Sequence, residues 1–544
     1  MNGVISFPKP ANAPLINFEN GSDGRIHLQE AITKLRCRKD VPVLPLWIEG
    51  QPVLSKFFGT CIPPHDMNRS LATYAQIPNW RLVDRAIEGV LNAKNSWKQV
   101  PWHMRLHIFR KAAYLLEHKY FYQAVAVVME DFSKNPYEAM IDVIELIDFW
   151  NFNAYFASQI YQEQPDSGDN DFNFMDYRPW EGFIAAIPPN NFVAIALNIP
   201  CAPLIMGNVV VCKPAPETIF SFHFMLNILH EAGLPPYTLA VLHGDEDMIG
   251  HTLLKNNQLS RVHFTGSVET MHKLIETMGK NISHYRGFPE VIGEAGGKNF
   301  MIIYDDADPE EAAAAIAQSA FGYQGRKCSA LSRLYLTREM WVHIEPILMN
   351  FISQIRVGDV ADFHNYLGAI ISEQEYEKII GYIEQARSDQ TTVKIHGGTY
   401  VKNQQGYWIH PTIIVTNTSG STTMHKEIFG PVLTVYPMQR DTFVKYLMES
   451  CNRNMYKLTG AVHTSNIVIF CKAIDELYYA AGNLYDCRTT GAVVNRQPFG
   501  GSGKSGSNSK PGSKLNLYRW INPRSISLTN SKPKHFAPAY LDRD

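Results

Sequence analysis

The chain of 544 residues is 45% hydrophobic and 19% charged, enough apolar material for at least two domains, each with its own core. A formal net charge of −2 supplies no global field for nucleic acid or an anionic membrane, so those partners are not expected. Cys37, Cys61, Cys201, Cys212, Cys328, Cys451, Cys471 and Cys487 lie too far apart for a zinc site, a redox dithiol or a disulfide scaffold, and read as reduced thiols.

The N-terminal residues carry prolines with Glu19 and Asp23, which suits neither a secretory signal nor a transit peptide. No apolar run approaches the ~20 residues needed to span a bilayer. Residues 80–160 read as helices, one on a stripe of Leu82, Ala86, Val90 and Leu91, another from about Met140 to Phe156. The polar segment Gln162–Asn170 reads as an exposed loop or hairpin. Beyond Gly182, short apolar runs alternate with helices. Strands are predicted at Phe183–Ile187, Asn208–Cys212, Leu239–His243 and Arg261–Phe264, with helices near 196–205, 217–232 and 245–256. That alternation predicts a parallel sheet covered by helices, a nucleotide-binding architecture.

A second series starts near Phe300, its first helix capped by Asp308 and entered through Pro309, Glu310 and Glu311. After a Gly/Ser/Lys-rich stretch, Gly500 to Gly506, Leu515 and Leu517, then Ile526 and Leu528, alternate with polar residues at the period of a strand.

Several residues could carry chemistry. Cys328 follows Arg326 and Lys327, and adjacent cations would lower the thiol pKa and favour the thiolate nucleophile; a free cysteine is otherwise a small buried hydrophobe. Glu294, at the end of an apolar strand before Ala295-Gly296-Gly297-Lys298, could be a buried general base or a salt-bridge partner of Lys298. Asn191 could donate its amide to an oxyanion or stabilise a turn. No Gly-x-Gly-x-x-Gly follows a strand; Gly244 and the turn Phe264–Ser267 are the glycine signals, and Lys213 could hold ribose hydroxyls or a phosphate. No metal site is expected.

Taken in order, Asn191, Lys213, Phe264–Ser267, Glu294 with Gly-Gly-Lys, Cys328 and Glu427-Ile428-Phe429-Gly430-Pro431 resemble the aldehyde dehydrogenase superfamily from about residue 12 to about 530. Glu145–Phe149, Gly293–Phe300, Lys327–Ala330 and Thr490–Val494 before Gln497–Gly501 are similar to its Δ1-pyrroline-5-carboxylate dehydrogenase branch. The resemblance implies an α/β fold with a Rossmann-type NAD-binding domain (1–160 and 179–296), an α/β catalytic domain (297–500) and a small oligomerisation flap and tail (161–178 and 515–544).

It also implies NAD as cofactor and roles for individual residues. Cys328 would attack the aldehyde, Asn191 would stabilise the oxyanion and Glu294 would activate water. Lys213 and Glu427 would hold the riboses, Gly244, Gly266 and Ser267 would lie at the cofactor, and Phe429 would flank the nicotinamide. Ser329, Gly491 and Ala492 would anchor the carboxylate of glutamate γ-semialdehyde, with Phe149 and Phe499 along its aliphatic part. Glu145 would offset the α-amino charge or form a helical salt bridge.

The chain departs from the pattern in three places. Asn190 stands where an aromatic is usual, the segment Asn483–Thr490 is about one residue short, and Pro216 replaces an acidic or polar residue facing the adenosine ribose. The competing expectations are a dehydrogenase of another acidic semialdehyde, such as succinate semialdehyde, and a catalytically silent relative. A homodimer or dimer of dimers is expected, with 162–170 and the tail from Leu515 as its contacts. The early start of the family-like region favours the cytoplasm, and eukaryotic relatives are mitochondrial.

Overall fold

The computed structural model describes residues 5–440, 443, 451–534, 536, 540 and 541. Four helices, Trp80–Gln99, Trp102–His118, Phe121–Phe132 and Pro136–Gln162, fill the predicted helical region. The first starts at Asn79, whose side chain accepts from the Arg81 N–H, and buries Val83, Ala86, Ile87 and Val90. Leu82 and Leu91 of the expected stripe are only half-buried, so the inward face is turned about one residue from the prediction. The fourth helix starts with Pro136 behind an Asn135 cap and is buried nearly all round, enclosed by its neighbours. Glu138, Asp142, Glu145 and Phe149 follow one another along it at helical spacing, on one face.

A seven-stranded sheet runs in the order Glu290–Glu294, Leu259–Thr265, Phe183–Ile187, Val210–Cys212, Leu239–Val241, Leu46–Ile48, Gln51–Val53. The first five strands are parallel, and the last two are antiparallel additions at one edge. From Phe183–Ile187 the chain moves outward through Val210–Cys212 and Leu239–Val241, then returns to the opposite side as Leu259–Thr265. The order reverses there, and a crevice opens beyond the carboxyl end of Phe183–Ile187. The expected strands and helices of this region are all present, with Val210–Cys212 and Leu239–Val241 each shorter than predicted. Gly233, at φ 110°, closes the helix Ile219–Ala232.

The second sheet has the order Thr392–Gly397, Thr412–Thr416, Val432–Met438, Leu331–Thr337, Asn299–Ile303, Thr459–His463, Asn483–Asp486, parallel except for its first strand. Each sheet has its own apolar core. Only the four residues Ala295 to Lys298 separate the last strand of the first sheet from Asn299–Ile303 of the second.

Asp171–Arg178 and Asn522–Thr529 pair antiparallel over their full length as a two-stranded ribbon. The ribbon strand begins after the polar segment 162–170. The alternation at Leu515 and Leu517 does not make a strand: Ser513 accepts from the Leu515 N–H and starts the short helix Lys514–Leu517. A local side-chain cap outweighs a two-residue periodicity. Among the described residues no helix is long and apolar enough to cross a membrane, and no cluster of His, Cys, Asp and Glu could hold a metal.

Asp308 caps the helix Pro309–Phe321 as expected, its Oδ1 accepting from the Glu310 and Glu311 N–H groups at 2.8 and 3.0 Å. Asp308→Ala is expected to destabilise the second core by about 1 kcal/mol. Chemical denaturation followed by fluorescence checks this, and an unchanged transition would contradict it.

Candidate active site

A cleft of about 790 Å³ opens beyond the reversal point of the first sheet, and its walls include Pro188–Asn191, Lys213, Gly266, Ser267, Arg326, Cys328, Glu427 and Phe429. The structure therefore gathers residues spread over some 240 positions of sequence around one cavity (Pro188 to Phe429).

Cys328 is delivered by an unusual piece of backbone. After the helix Pro309–Phe321, Tyr323, Gln324 and Gly325 occupy left-handed conformations in succession, at φ 51°, 54° and 66°. For non-glycine residues such backbone costs on the order of 1–3 kcal/mol each and persists only when surroundings over-determine it. Those surroundings are visible: Gln324 Nε2 donates to the carbonyls of Ser133 at 2.9 Å and Ala369 at 3.0 Å. At Gly325 a Cβ would stand 2.2 Å from the Gly430 carbonyl oxygen, so only glycine fits. The Cys328 carbonyl accepts from Asn299 Nδ2 at 2.7 Å, and a Cβ on Gly297 would lie 2.1 Å from that same oxygen.

The two cations before Cys328 do not activate it. Lys327 Nζ pairs with Glu138 at 2.7 Å. Arg326 is buried over the Phe429 ring, 4.9 Å from its centroid, with Nη2 donating to Asn190 Oδ1 at 3.2 Å and Nη1 3.4 Å from Glu375. Burial pushes the thiol up to about 12, and the carboxylates of Glu427, Glu294 and Glu145 push the same way. The expected effect of Arg326 and Lys327 is thus reversed: despite their adjacency in sequence both charges engage other partners, and three acidic groups act on the sulfur.

Glu294 ends the strand Glu290–Glu294 and is buried. Its Oε2 accepts from the Gly501 N–H at 3.3 Å, and among the described residues Oε1 has no partner. Lys298 is likewise buried with an unpartnered Nζ, so the alternative Glu294–Lys298 salt bridge is not formed. Burial raises the Glu294 carboxyl to about 8, against the pull of the Gly501 and Ser509 N–H groups and Lys510. Asn191 follows the strand Phe183–Ile187, and its Nδ2 donates to the Arg326 carbonyl at 3.1 Å, tying it to the Cys328 loop. A turn-stabilising role alone does not describe a bond that spans 135 residues.

On the opposite wall, Lys213 pairs with Glu246, a residue the sequence reading passed over although it opens a helix behind the Asp245 cap. Ser267 caps the helix Val268–Lys280 through the Thr270 N–H at 3.1 Å, which turns the positive end of that helix toward the cleft beside Gly266. Glu427 Oε1 accepts from the Gly297 N–H at 2.8 Å, and a Cβ on Gly296 would meet Glu427 Oε2 at 2.1 Å. Burial lifts this carboxyl to about 7.

Gly244, expected at the cofactor, is not among the cleft walls; at φ 127° it turns the chain against Ile77, and the following helix Glu246–Lys255 lines the cleft instead. Pro216 is on the wall, and so is Glu217, which supplies an acidic group one residue later. Ile249, Leu253, Leu254 and Leu274 give the far end an apolar lining. Apolar slot, helix N-terminus, paired lysine and carboxylates able to accept hydroxyls make a donor set that fits a dinucleotide.

Ser329, Gly491, Ala492, Phe149, Phe499 and Glu145 lie outside the walls of that cleft. Glu145 reaches Cys328 electrostatically and is itself raised to about 8, by burial first and by Asp142 next. Among the described residues it makes no ion pair, so the helical salt bridge weighed for it is not formed. Phe149 and Ser329 are buried, and Gly491 is exposed at φ 91°. The segment Asn483–Thr490 before it turns tightly, with Cys487 at φ 46° and the Arg488 N–H donating to the Asp486 carbonyl at 2.6 Å.

The profile of the aldehyde dehydrogenase family matches residues 60–526. The Δ1-pyrroline-5-carboxylate dehydrogenase of Agaricus bisporus is 38% identical over 527 residues, 96% of this chain and 96% of that protein. The mitochondrial enzyme of that name from Homo sapiens is 35% identical over 536 residues, 98% of this chain and 94% of its own. The crystal structure of the Δ-pyrroline-5-carboxylate dehydrogenase of Mycobacterium tuberculosis superposes with a TM-score of 0.95 at 34% identity, covering 100% of both chains. The structure of that enzyme bound with NAD gives a TM-score of 0.94, also at 34% identity and full coverage of both chains. This chain belongs to the aldehyde dehydrogenase family.

Proposed function

We propose that the protein is an NAD-dependent dehydrogenase that oxidises L-glutamate γ-semialdehyde, the open form of Δ1-pyrroline-5-carboxylate, to L-glutamate in proline degradation. The observation that carries this reading is the meeting of the Cys328 thiol, the Asn191 amide and the Glu294 carboxyl where the two sheets join, with Cys328 on the wall of a dinucleotide cleft. The full-length likeness to relatives of that name supports the choice of aldehyde.

The residues perform the chemistry in order. Cys328 Sγ bonds to the aldehyde carbon as its proton passes to solvent, and the C=O π pair moves to the oxygen, an oxyanion held by Asn191 Nδ2 and the Cys328 N–H. NAD, held by the cleft residues, would supply the hydride acceptor for that carbon. The thioester that remains is attacked by water, whose proton passes to Glu294, and the thiol is released with the carboxylate product. Lys213, Glu246 and Glu427 would hold the ribose hydroxyls, the Gly266–Ser267 helix start the pyrophosphate, and Phe429 the nicotinamide side.

Glu217 and Glu246 on the cleft wall favour NAD, because an acidic group repels the 2′-phosphate of NADP. Ser329, Gly491 and Ala492 would anchor the substrate carboxylate, Phe149 and Phe499 its methylenes, and Glu145 its ammonium. In this reading the first sheet and its helices form the NAD-binding domain, the second sheet the catalytic domain, and the ribbon Asp171–Arg178 with Asn522–Thr529 the oligomerisation flap. Phe172 and Leu528, opposite one another and each 55% exposed, suit pairing between protomers. Eight free cysteines suit a reducing compartment, the cytoplasm or the mitochondrial matrix.

Four measurements test the proposal. Rates over a panel of aldehydes are expected to be highest with pyrroline-5-carboxylate and higher with NAD than with NADP; preference for succinate semialdehyde would transfer the activity to another acid. Cys328→Ser is expected to abolish NADH formation, read by absorbance, with NAD affinity largely kept; an active variant would sink the covalent route. Below about 8 the Glu294 carboxyl holds its proton and cannot accept another, so acyl-enzyme hydrolysis should rise with pH and level off above about 8. Glu294→Gln should erase that rise and leave a burst of NADH, and stopped-flow traces lacking a burst would count against its role.

A further inference from the structure

Between the helices Phe121–Phe132 and Pro136–Gln162 the chain turns through Ser133, at φ 54°, and Lys134. The Lys134 and Asp142 side chains are both fully buried, and Nζ donates to Asp142 Oδ2 at 2.6 Å. Asp142 also accepts the Val193 N–H on Oδ2 at 3.0 Å and the Ala194 N–H on Oδ1 at 2.9 Å. Those groups open the helix Val193–Ile205, which receives no side-chain cap from its own Phe192. Asp142 therefore caps, from another helix, the segment that begins immediately after Asn191.

Lys134 holds the other arm. Its ammonium stands 3.7 Å from the ring centroid of Phe192, 4.3 Å from that of Tyr323 and 5.0 Å from that of Phe132. Tyr323 starts the left-handed run that delivers Cys328, and the next residue, Gln324, donates to the carbonyl of Ser133. A buried ion pair gains little net stability over an apolar replacement, because desolvation offsets the attraction. Here its contacts fall on the segment after Asn191 and on the segment before Cys328.

We propose that Lys134 and Asp142 are positioning residues: one buried ion pair sets the Asn191 amide and the Cys328 backbone N–H at the separation that a single oxyanion requires. The proposal rests on the reading of those two groups as oxyanion donors. Neither Lys134 nor Asp142 is on the wall of the dinucleotide cleft, so loss of the pair acts on thioester formation and leaves cofactor affinity alone.

A double-mutant cycle in the full-length enzyme tests this, with single-turnover acylation rate, NAD dissociation constant and thermal melting read on every variant. Asn191→Ala is expected to slow acylation by roughly 10²–10³-fold. Asp142→Asn, which keeps the shape and removes the charge, should slow it by roughly 10–100-fold with an unchanged NAD dissociation constant. The double variant should fall no more than about threefold below Asn191→Ala, because the pair works through the donor already removed.

A wild-type acylation rate in Asp142→Asn, or losses that multiply in the double variant, overturns the positioning role while the oxyanion reading stands. Full activity in Asn191→Ala overturns the oxyanion reading itself, and the positioning role with it. If Asp142→Asn does not fold, Lys134→Gln, which keeps a donor for Asp142, enters the same cycle with the same deciding outcomes. Failure of both to fold assigns the pair to stability alone and overturns the proposal.

Discussion

The reaction centre depends on a close backbone approach at the crossing between the two sheets. Gly296 and Gly297 lie within four residues that leave the end of one sheet and enter the other, and each has a neighbour where a Cβ would stand. One neighbour is the Glu427 carboxylate and the other the Cys328 carbonyl oxygen. Two side-chain-free residues thus let the Cys328 loop and the Glu427 carboxylate converge on a single stretch of chain. Asn299, one position after Lys298, then donates to the Cys328 carbonyl and fixes the loop from the other side.

Electrostatics at this crossing are governed by burial. Glu294, Glu427, Glu145 and Cys328 are all shifted upward with desolvation as the first cause, so each favours its neutral form. A resting site built this way keeps its thiol protonated and its carboxyls poised near neutrality, where a proton can move in either direction during turnover. Lys327 is engaged by Glu138, Lys213 by Glu246, and Arg326 by Asn190 and the Phe429 ring, while Lys298 and Lys510 pull Glu427 and Glu294 down without outweighing burial.

Asn190 shows how a departure in sequence acquires a meaning in space. Its side-chain oxygen accepts from the buried Arg326, two residues before Cys328, so a polar residue where the sequence led one to expect an aromatic is matched by a guanidinium that needs an acceptor. Read singly the two are unrelated, because 136 residues separate them. The segment before Gly491 turns tightly at Cys487, and the strand Asn483–Asp486 before it lies beside Thr459–His463.

Local chemistry was legible in the sequence. Asp308 before Pro309 specifies a helix start because cap and φ constraint act within one turn, and the strand–helix alternation after Gly182 specifies a doubly wound sheet because periodicity and connection handedness leave few topologies. The ordered spacing of Asn191, Glu294 and Cys328 carried the family. What tertiary structure alone decided was which charges meet. Arg326 and Lys327 adjoin Cys328 along the chain yet point to other partners, Leu515 and Leu517 alternate like a strand yet follow a capping serine into a helix, and Gly244 is not among the cleft walls. Side-chain direction and burial are set by the packing of distant segments, and a pKa or a contact follows from those and not from nearness in sequence.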